Sequence, residues 1–384
     1  MSDEPKVKIQ NQMLPRFLGI LLLLLAFTPL TAAQETTPEP IDTLNHPWTV
    51  FLRRSIDETG LDQLIFVDGL TGAQVEVEAY GERYTAAGQA ILYYDTSSRQ
   101  VMLATPDGEV RPHPFILPTQ ETRRIDWLVS DDESRIAWTL TNSDASGQLV
   151  TITTIANSDG TNQQQALVDG PRNDGLRALP LAFSTDLTAL YMDLHPDGLS
   201  NFMPIEQYAG VFALNLATGD VTPLPGEEQL GCLCGAGVGA GLFLRMSLSA
   251  DQTGFDLRVY DLGADVNQVI PAPRLRNYTL AGDMLITDDG TRAVYALAQI
   301  ANFGSPQQTT RTVFIFVDLQ AMTQETLTEP ITTFVHPVAW TEDNSTIIFT
   351  SPIRDGTWKI NLTDRRLERI AEATYIGTLQ PLNN

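Results

Sequence analysis

One unit recurs along this chain: a strand, an acidic turn and a second strand that ends in an aromatic residue. A period of roughly 20–50 residues marks a chain whose successive units bury their faces against one another. The unit is clearest at Ile125-Asp126-Trp127-Leu128-Val129, Ser130-Asp131-Asp132-Glu133-Ser134 and Arg135-Ile136-Ala137-Trp138-Thr139-Leu140. It returns as Pro337-Val338-Ala339-Trp340, Thr341-Glu342-Asp343-Asn344-Ser345 and Ile347-Ile348-Phe349-Thr350. Weaker copies lie at 181–191 and 284–295, and degenerate ones at 87–93 and 241–243. The closing aromatics Phe51, Tyr93, Trp138, Tyr191, Phe243, Tyr295 and Phe349 are spaced by 42 to 54 residues. Seven marks predict seven units.

After each mark comes a further strand and a turn, as at Asn157-Ser158-Asp159-Gly160 and Ala217-Thr218-Gly219-Asp220. Such Asx-Gly and Thr-Gly steps between alternating apolar runs are hairpin turns. Four short antiparallel strands per unit, with no helical period, make a β-propeller blade. The sequence therefore predicts an all-β, seven-bladed β-propeller of four-stranded antiparallel blades, with six blades as the alternative if the first and last segments are assigned differently. Phe51 lies too near the amino-terminal linker for an inner strand to precede it. Residues 373–379 are placed to supply that strand, and pairing them with the first blade closes the ring and removes two open edges.

The tryptophan before an acidic turn, the Ile-Ala-Trp and Ile-Ile-Phe strands, and above all Thr350-Ser351-Pro352-Ile353-Arg354-Asp355-Gly356-Thr357-Trp358-Lys359-Ile360 resemble the TolB-like propeller repeat, a relative of WD-type repeats. The same repeat occurs in the amino-terminal propellers of prolyl-oligopeptidase-type peptidases. The resemblance is strong at 123–170 and 334–371, fair at 175–226 and 276–333, and elsewhere rests on spacing. It implies an extracytoplasmic scaffold for protein contacts and carries over no catalytic site, since a fold does not give a function. The Ser-Pro-Asp-Gly turn of the family stands here as Ser-Asp-Asp-Glu and Thr-Glu-Asp-Asn. A peptidase of that type would need a Gly-x-Ser-x-Gly elbow, which these residues lack. Asp355-Gly356-Thr357-Trp358 also resembles a sialidase Asp-box, but its spacing favours a plain hairpin turn.

The amino terminus is read as an address. Lys6, Lys8 and Arg16 precede an apolar run at 17–30, followed by Thr31, Ala32 and Ala33, so residues 1–33 form a signal peptide, 34–45 a linker and 46–384 the propeller. A run of about 14 residues is short for a hydrocarbon core of roughly 30 Å, which favours cleavage over a membrane span. An uncleaved anchor is the alternative. The expected location is secreted or extracytoplasmic, at the periplasm or cell surface. With 24 basic against 47 acidic residues the formal charge is −23, which excludes a basic nucleic-acid groove.

Candidate chemistry is sparse. His46, His113, His195 and His336 are each followed by proline. His113, His195 and His336 are expected at one end of the ring, where neutral imidazoles can bind zinc or copper, although a His-Pro step is ordinarily strand punctuation. Cys232-Leu233-Cys234 reads either as small buried thiols, as a strained disulfide or as a metal or redox pair. The acidic turns Asp131-Asp132-Glu133 and Asp288-Asp289-Gly290 read as solvated turns rather than calcium loops. Trp127, Trp138 and Trp340 read as core. Long loops are expected at 193–207 and 299–311, and long loops on a rigid ring carry function. Asp193, His195, Phe202, Met203, Ile205 and Tyr208 form the expected contact patch there, with His113 and His336 as further candidates; the bland alternative is a loop that buries its own apolar groups.

No catalytic residue, metal or cofactor is assigned. The expectation is a monomeric, non-catalytic binding module for another protein or a cell-envelope component. The alternative is a propeller enzyme, a lactonase, lyase or glycan-active hydrolase, using acidic and histidine side chains at the channel mouth. A deep polar channel would point to a small ligand, and an exposed apolar patch to a protein partner.

Overall fold

The computed structural model describes residues 46–55, 60–144, 146–198, 204–227, 233–264, 266–351 and 356–381. The expected signal peptide, the linker, Phe202, Met203 and Cys232 lie outside them. Among the described residues all regular structure is β, in seven four-stranded antiparallel sheets. The blade count is seven.

Each seam between consecutive blades is filled by apolar side chains. Six buried clusters bridge the pairs from blades one and two to blades six and seven; Leu64, Phe66, Ile91 and Tyr93 fill the first, and Leu244, Leu257, Tyr295 and Ile315 the fifth. Period-two alternation makes this work, because each strand offers one set of side chains to the preceding blade and the other to the next. The ring closes as expected: Thr374–Leu379 pairs antiparallel with Trp48–Arg53 and becomes the inner strand of the first blade. All seven ruler aromatics fall on the second strand of their blade. Tyr191 is one residue out of phase: Leu190 and Met192 face blade three, while Tyr191 packs with Phe243 and Tyr260 of blade five.

The acidic turn has a mechanism. In blades three, four, six and seven, a Ser or Thr at the end of the inner strand donates to an aspartate two residues on, as in Ser130 Oγ to Asp132 Oδ1 at 2.6 Å and Thr287 Oγ1 to Asp289 Oδ1 at 2.6 Å. The same aspartate accepts from the residue two further on, and the first hydroxyl accepts the backbone N–H five residues ahead. These hydroxyl bonds hold the Asp132, Asp186, Asp289 and Asp343 carboxyls below their ordinary pKa, Asp289 at about 2. The next residue is left-handed: Glu133, Leu187 and Asn344 at φ 57°, 57° and 54°, where only Gly290 keeps glycine. Blade five carries its copy, Ser249 to Asp251, between its second and third strands instead.

The glycine-rich run at 231–241 has a packing reason. The inner strand of blade five, Ala236–Gly239, lies so close to blade six that a Cβ on Gly235 would meet the Ala281 carbonyl at 2.7 Å.

Candidate functional site

The inner strands of all blades but the first follow one another in sequence order and start at the same end of the ring. They enclose a cavity of about 1180 Å³. One end is walled by the turns just described, including Asp131, Asp132, Thr287 and Asp288. The Asp131 carboxyl is pushed up by burial and by the charges of Asp288 and Asp132.

The other end is built from residues that do not repeat. On one side Arg177, on the inner strand of blade four, pairs with Asp126 on that of blade three. Arg83 of blade two also pairs with Asp126, at 2.7 Å, and lies over the Trp127 ring at 5.7 Å. Arg124 and Arg123 reach Asp197, at 3.0 and 3.5 Å. On the opposite side His336, which opens the inner strand of blade seven, bonds Asp283 of blade six through Nδ1 at 2.7 Å. Burial opposes protonation of that ring, but the hydrogen bond and charge of Asp283 together with the charge of Glu206 outweigh it, so the His336 pKa is raised. Arg83 and Asp283 both sit at β-bulges with φ of 61° and 52°. Bulges re-aim side chains, and left-handed non-glycine residues cost energy that surrounding structure must hold in place.

A strap from blade four crosses to blade six and carries the remaining groups. Glu206 N donates to Asp283 Oδ1 at 2.7 Å, Asp283 N to the Glu206 carbonyl at 3.2 Å, and Gln207 Nε2 to the Ala281 carbonyl at 2.9 Å. Tyr208 pairs through its backbone with Cys234, and Arg245 donates to both their carbonyls. Gly282 permits this approach, since a Cβ there would lie 2.0 Å from the Glu206 carbonyl. The Glu206 side chain projects into the cavity, where enclosure by the walls and the charge of Asp283 push its carboxyl up. The Tyr208 hydroxyl donates to it and is itself pushed well up, first by burial and then by Glu206.

Asp193 and His195 stand on a strand, Ala189–Pro196, and not on the loop expected at 193–207, because Leu194 continues the alternation of Leu190 and Met192 and leaves Asp193 and His195 on the opposite face. Asp193 is fully buried; its Oδ1 accepts from Ala209 N and Gly210 N at 3.0 and 2.8 Å, and its Oδ2 faces His195 Nδ1 at 3.1 Å. A carboxylate only accepts, so in the neutral His195 ring the proton sits on Nδ1 and Nε2 is the acceptor. That Nε2 lines the cavity, in a side chain 6% exposed, without a hydrogen-bond partner.

The expected gathering of three histidines does not occur. His195 and His336 line the channel, whereas His113 lies between blades two and three, where its Nδ1 accepts Ile116 N at 3.1 Å and burial, then the charge of Arg111, hold its pKa down to about 4. His46 bonds Asp68 outside the channel. The expected contact patch divides: Ile205 is 1% exposed in the seam of blades six and seven and follows the self-burying alternative, whereas Tyr208 faces the cavity. The loop expected at 299–311 narrows to 302–308 between Arg292–Ala301 and Thr309–Asp318. Trp138 and Trp127 are buried core, Trp340 half-buried. Among the described residues no group of three or more His, Cys, Asp and Glu is placed to hold a metal ion. Arg83, Asp126, Arg177, Glu206 and Asp283 were missed as site residues; their one sequence signal is charge on strands that face the axis of the ring.

No protein-family model and no curated protein sequence matches the chain. Its fold is similar to that of prolyl endopeptidases, with a TM-score of 0.57 and 11% identity over 89% of this chain and 51% of theirs, so it spans about half their length. It is similar to an oligogalacturonate lyase solved with manganese, with a TM-score of 0.51 and 12% identity over 84% of this chain and 86% of the lyase. A putative TolB from Agrobacterium tumefaciens matches with a TM-score of 0.42 and 10% identity over 74% of this chain and 90% of that one. At these identities the likeness is one of fold. The class is that of the seven-bladed β-propellers.

Proposed function

We propose that this is an extracytoplasmic β-propeller that binds a small organic anion at the arginine and histidine end of its channel and does not transform it. The observation that carries the reading is the set of four guanidinium groups, Arg83, Arg123, Arg124 and Arg177, gathered against only two carboxylates, Asp126 and Asp197. Guanidinium groups in excess over the carboxylates they pair recognise carboxylate and phosphate oxygens. A polar channel of about 1180 Å³ suits a small molecule better than a protein surface. The signal sequence at 1–33, with its linker at 34–45, supports export, and among the described residues no helix is long and apolar enough to cross a membrane. Export would favour a Cys232–Cys234 disulfide in the segment against the strap.

One observation favours a second reading, an enzyme: Glu206, Tyr208 and His336 converge with raised pKa values, as groups that exchange protons do. The test is calorimetric titration of the purified protein with acidic sugars, small carboxylates and phosphate, followed by mass spectrometry of the recovered ligand. Binding with an unchanged ligand mass supports the binding module. A changed mass establishes the enzyme, and no heat from any anion overturns both.

A further inference from the structure

The channel end is polarised, and the polarity names the ligand more narrowly than the reading above, on which this inference rests. One arc, from blades two to four, sets four guanidinium groups against Asp126 and Asp197 and is left electropositive in a protein whose formal charge is −23. The facing arc sets Glu206 beside Asp283, with His336 bonded to Asp283. Arg83 interacts with Glu206 but is committed to Asp126 at 2.7 Å. Between the arcs stands the His195 Nε2 lone pair. A simple anion would meet the first arc and leave the second as it is. A hydroxyl would satisfy His195 and leave the Glu206 and Asp283 charges uncompensated. An ammonium supplies both the N–H donor and the positive charge.

We propose that the channel ligand is a small zwitterion whose primary ammonium lies between Glu206 and His195 Nε2 and whose carboxylate meets Arg83 and Arg124. At about 1180 Å³ the cavity is larger than the usual pocket for a drug-sized ligand, so it admits a short peptide as well as an amino acid.

The test is calorimetry of the purified protein with alanine, trialanine, N-acetyltrialanine and trialanine amide. At least one of the first two is expected to bind, and removing the ammonium by acetylation or the carboxylate by amidation should each weaken trialanine at least tenfold. If only alanine binds, N-acetylalanine and alanine amide take the same two roles. Glu206→Gln should erase the preference for the free amine and keep that for the free carboxylate; Arg83→Gln should do the reverse, so that a folding defect in one variant does not hide the result. Acetylated and free forms binding within twofold of each other would overturn the ammonium assignment and leave anion binding intact. Neither alanine nor trialanine binding, while other anions bind, would overturn it too. Silence to zwitterions and anions alike would remove both this inference and the reading beneath it.

Discussion

The two ends of the channel are made from the same seven inner-strand positions and differ in how their polar groups are satisfied. At the turn end Ser130 and Thr287 and the aspartates they bond, Asp132 and Asp289, are satisfied within their own turns and need nothing from outside. At the strap end the bonds run between distant segments, Arg177 to Asp126, Glu206 to Asp283 and His336 to Asp283, and three buried polar atoms, His195 Nε2, Asp197 Oδ1 and Arg177 Nε, are left without hydrogen-bond partners. Local, repeated bonds hold a shape; long-range, unrepeated ones with a vacancy for a donor hold a ligand. On the proposed function, this difference assigns stability to one end and recognition to the other.

The sharpest way to break this comparison is Gly282→Ala. The new methyl would meet the Glu206 carbonyl and Ile205, so the strap must lift; the expected cost is about 3 kcal/mol in urea unfolding, together with loss of ligand response. A stable variant that still binds would mean the strap is ornament. Next in size is the contrast between two histidines. His113→Ala leaves the Ile116 N–H unpaired and should lose about 2 kcal/mol while keeping ligand affinity, whereas His195→Ala should lose affinity at least tenfold. At the turn end, Ser130→Ala removes the acceptor for Arg135 N and the donor to Asp132, for about 1.5 kcal/mol with binding unchanged.

Acid should separate the ends by sign. The turn aspartates have depressed folded pKa values, so their stabilisation is complete above the unfolded value of 3.8 and is lost as pH falls through the folded values, to about 2 for Asp289. Glu206 is raised, so the folded state binds its proton more readily and stability at this group grows as pH falls. Glu206→Gln should therefore be more stable than the wild type at pH 7, with the gap closing on acidification, as thermal melts across pH would show. The smallest expected effect is Glu133→Gly. It restores glycine at a left-handed turn position and should gain about 1 kcal/mol without touching the ligand.

The ring was legible in the sequence because seven copies average out local noise: the ruler aromatics landed on seven second strands, and the closing role of residues 373–379 followed from Phe51 alone. The site was legible only in part. His195 and His336 were visible as rare residues, but Arg83, Asp126 and Asp283 look like surface charges until the ring bends their strands toward one axis. His113 was misplaced for a related reason, since a His-Pro step does not say whether the next strand is inner or outer. Ile205 looked like an exposed patch because a loop sequence carries no sign of the blade it crosses to.

The most direct test of the division between the ends is a thermal-shift titration of the wild type, Asp289→Asn and His195→Ala with the tightest zwitterion from calorimetry, each read against its own unliganded Tm. The account predicts that Tm rises with ligand concentration in the wild type and equally in Asp289→Asn, and stays flat in His195→Ala. A rise that survives in His195→Ala, or one that disappears in Asp289→Asn, would contradict it.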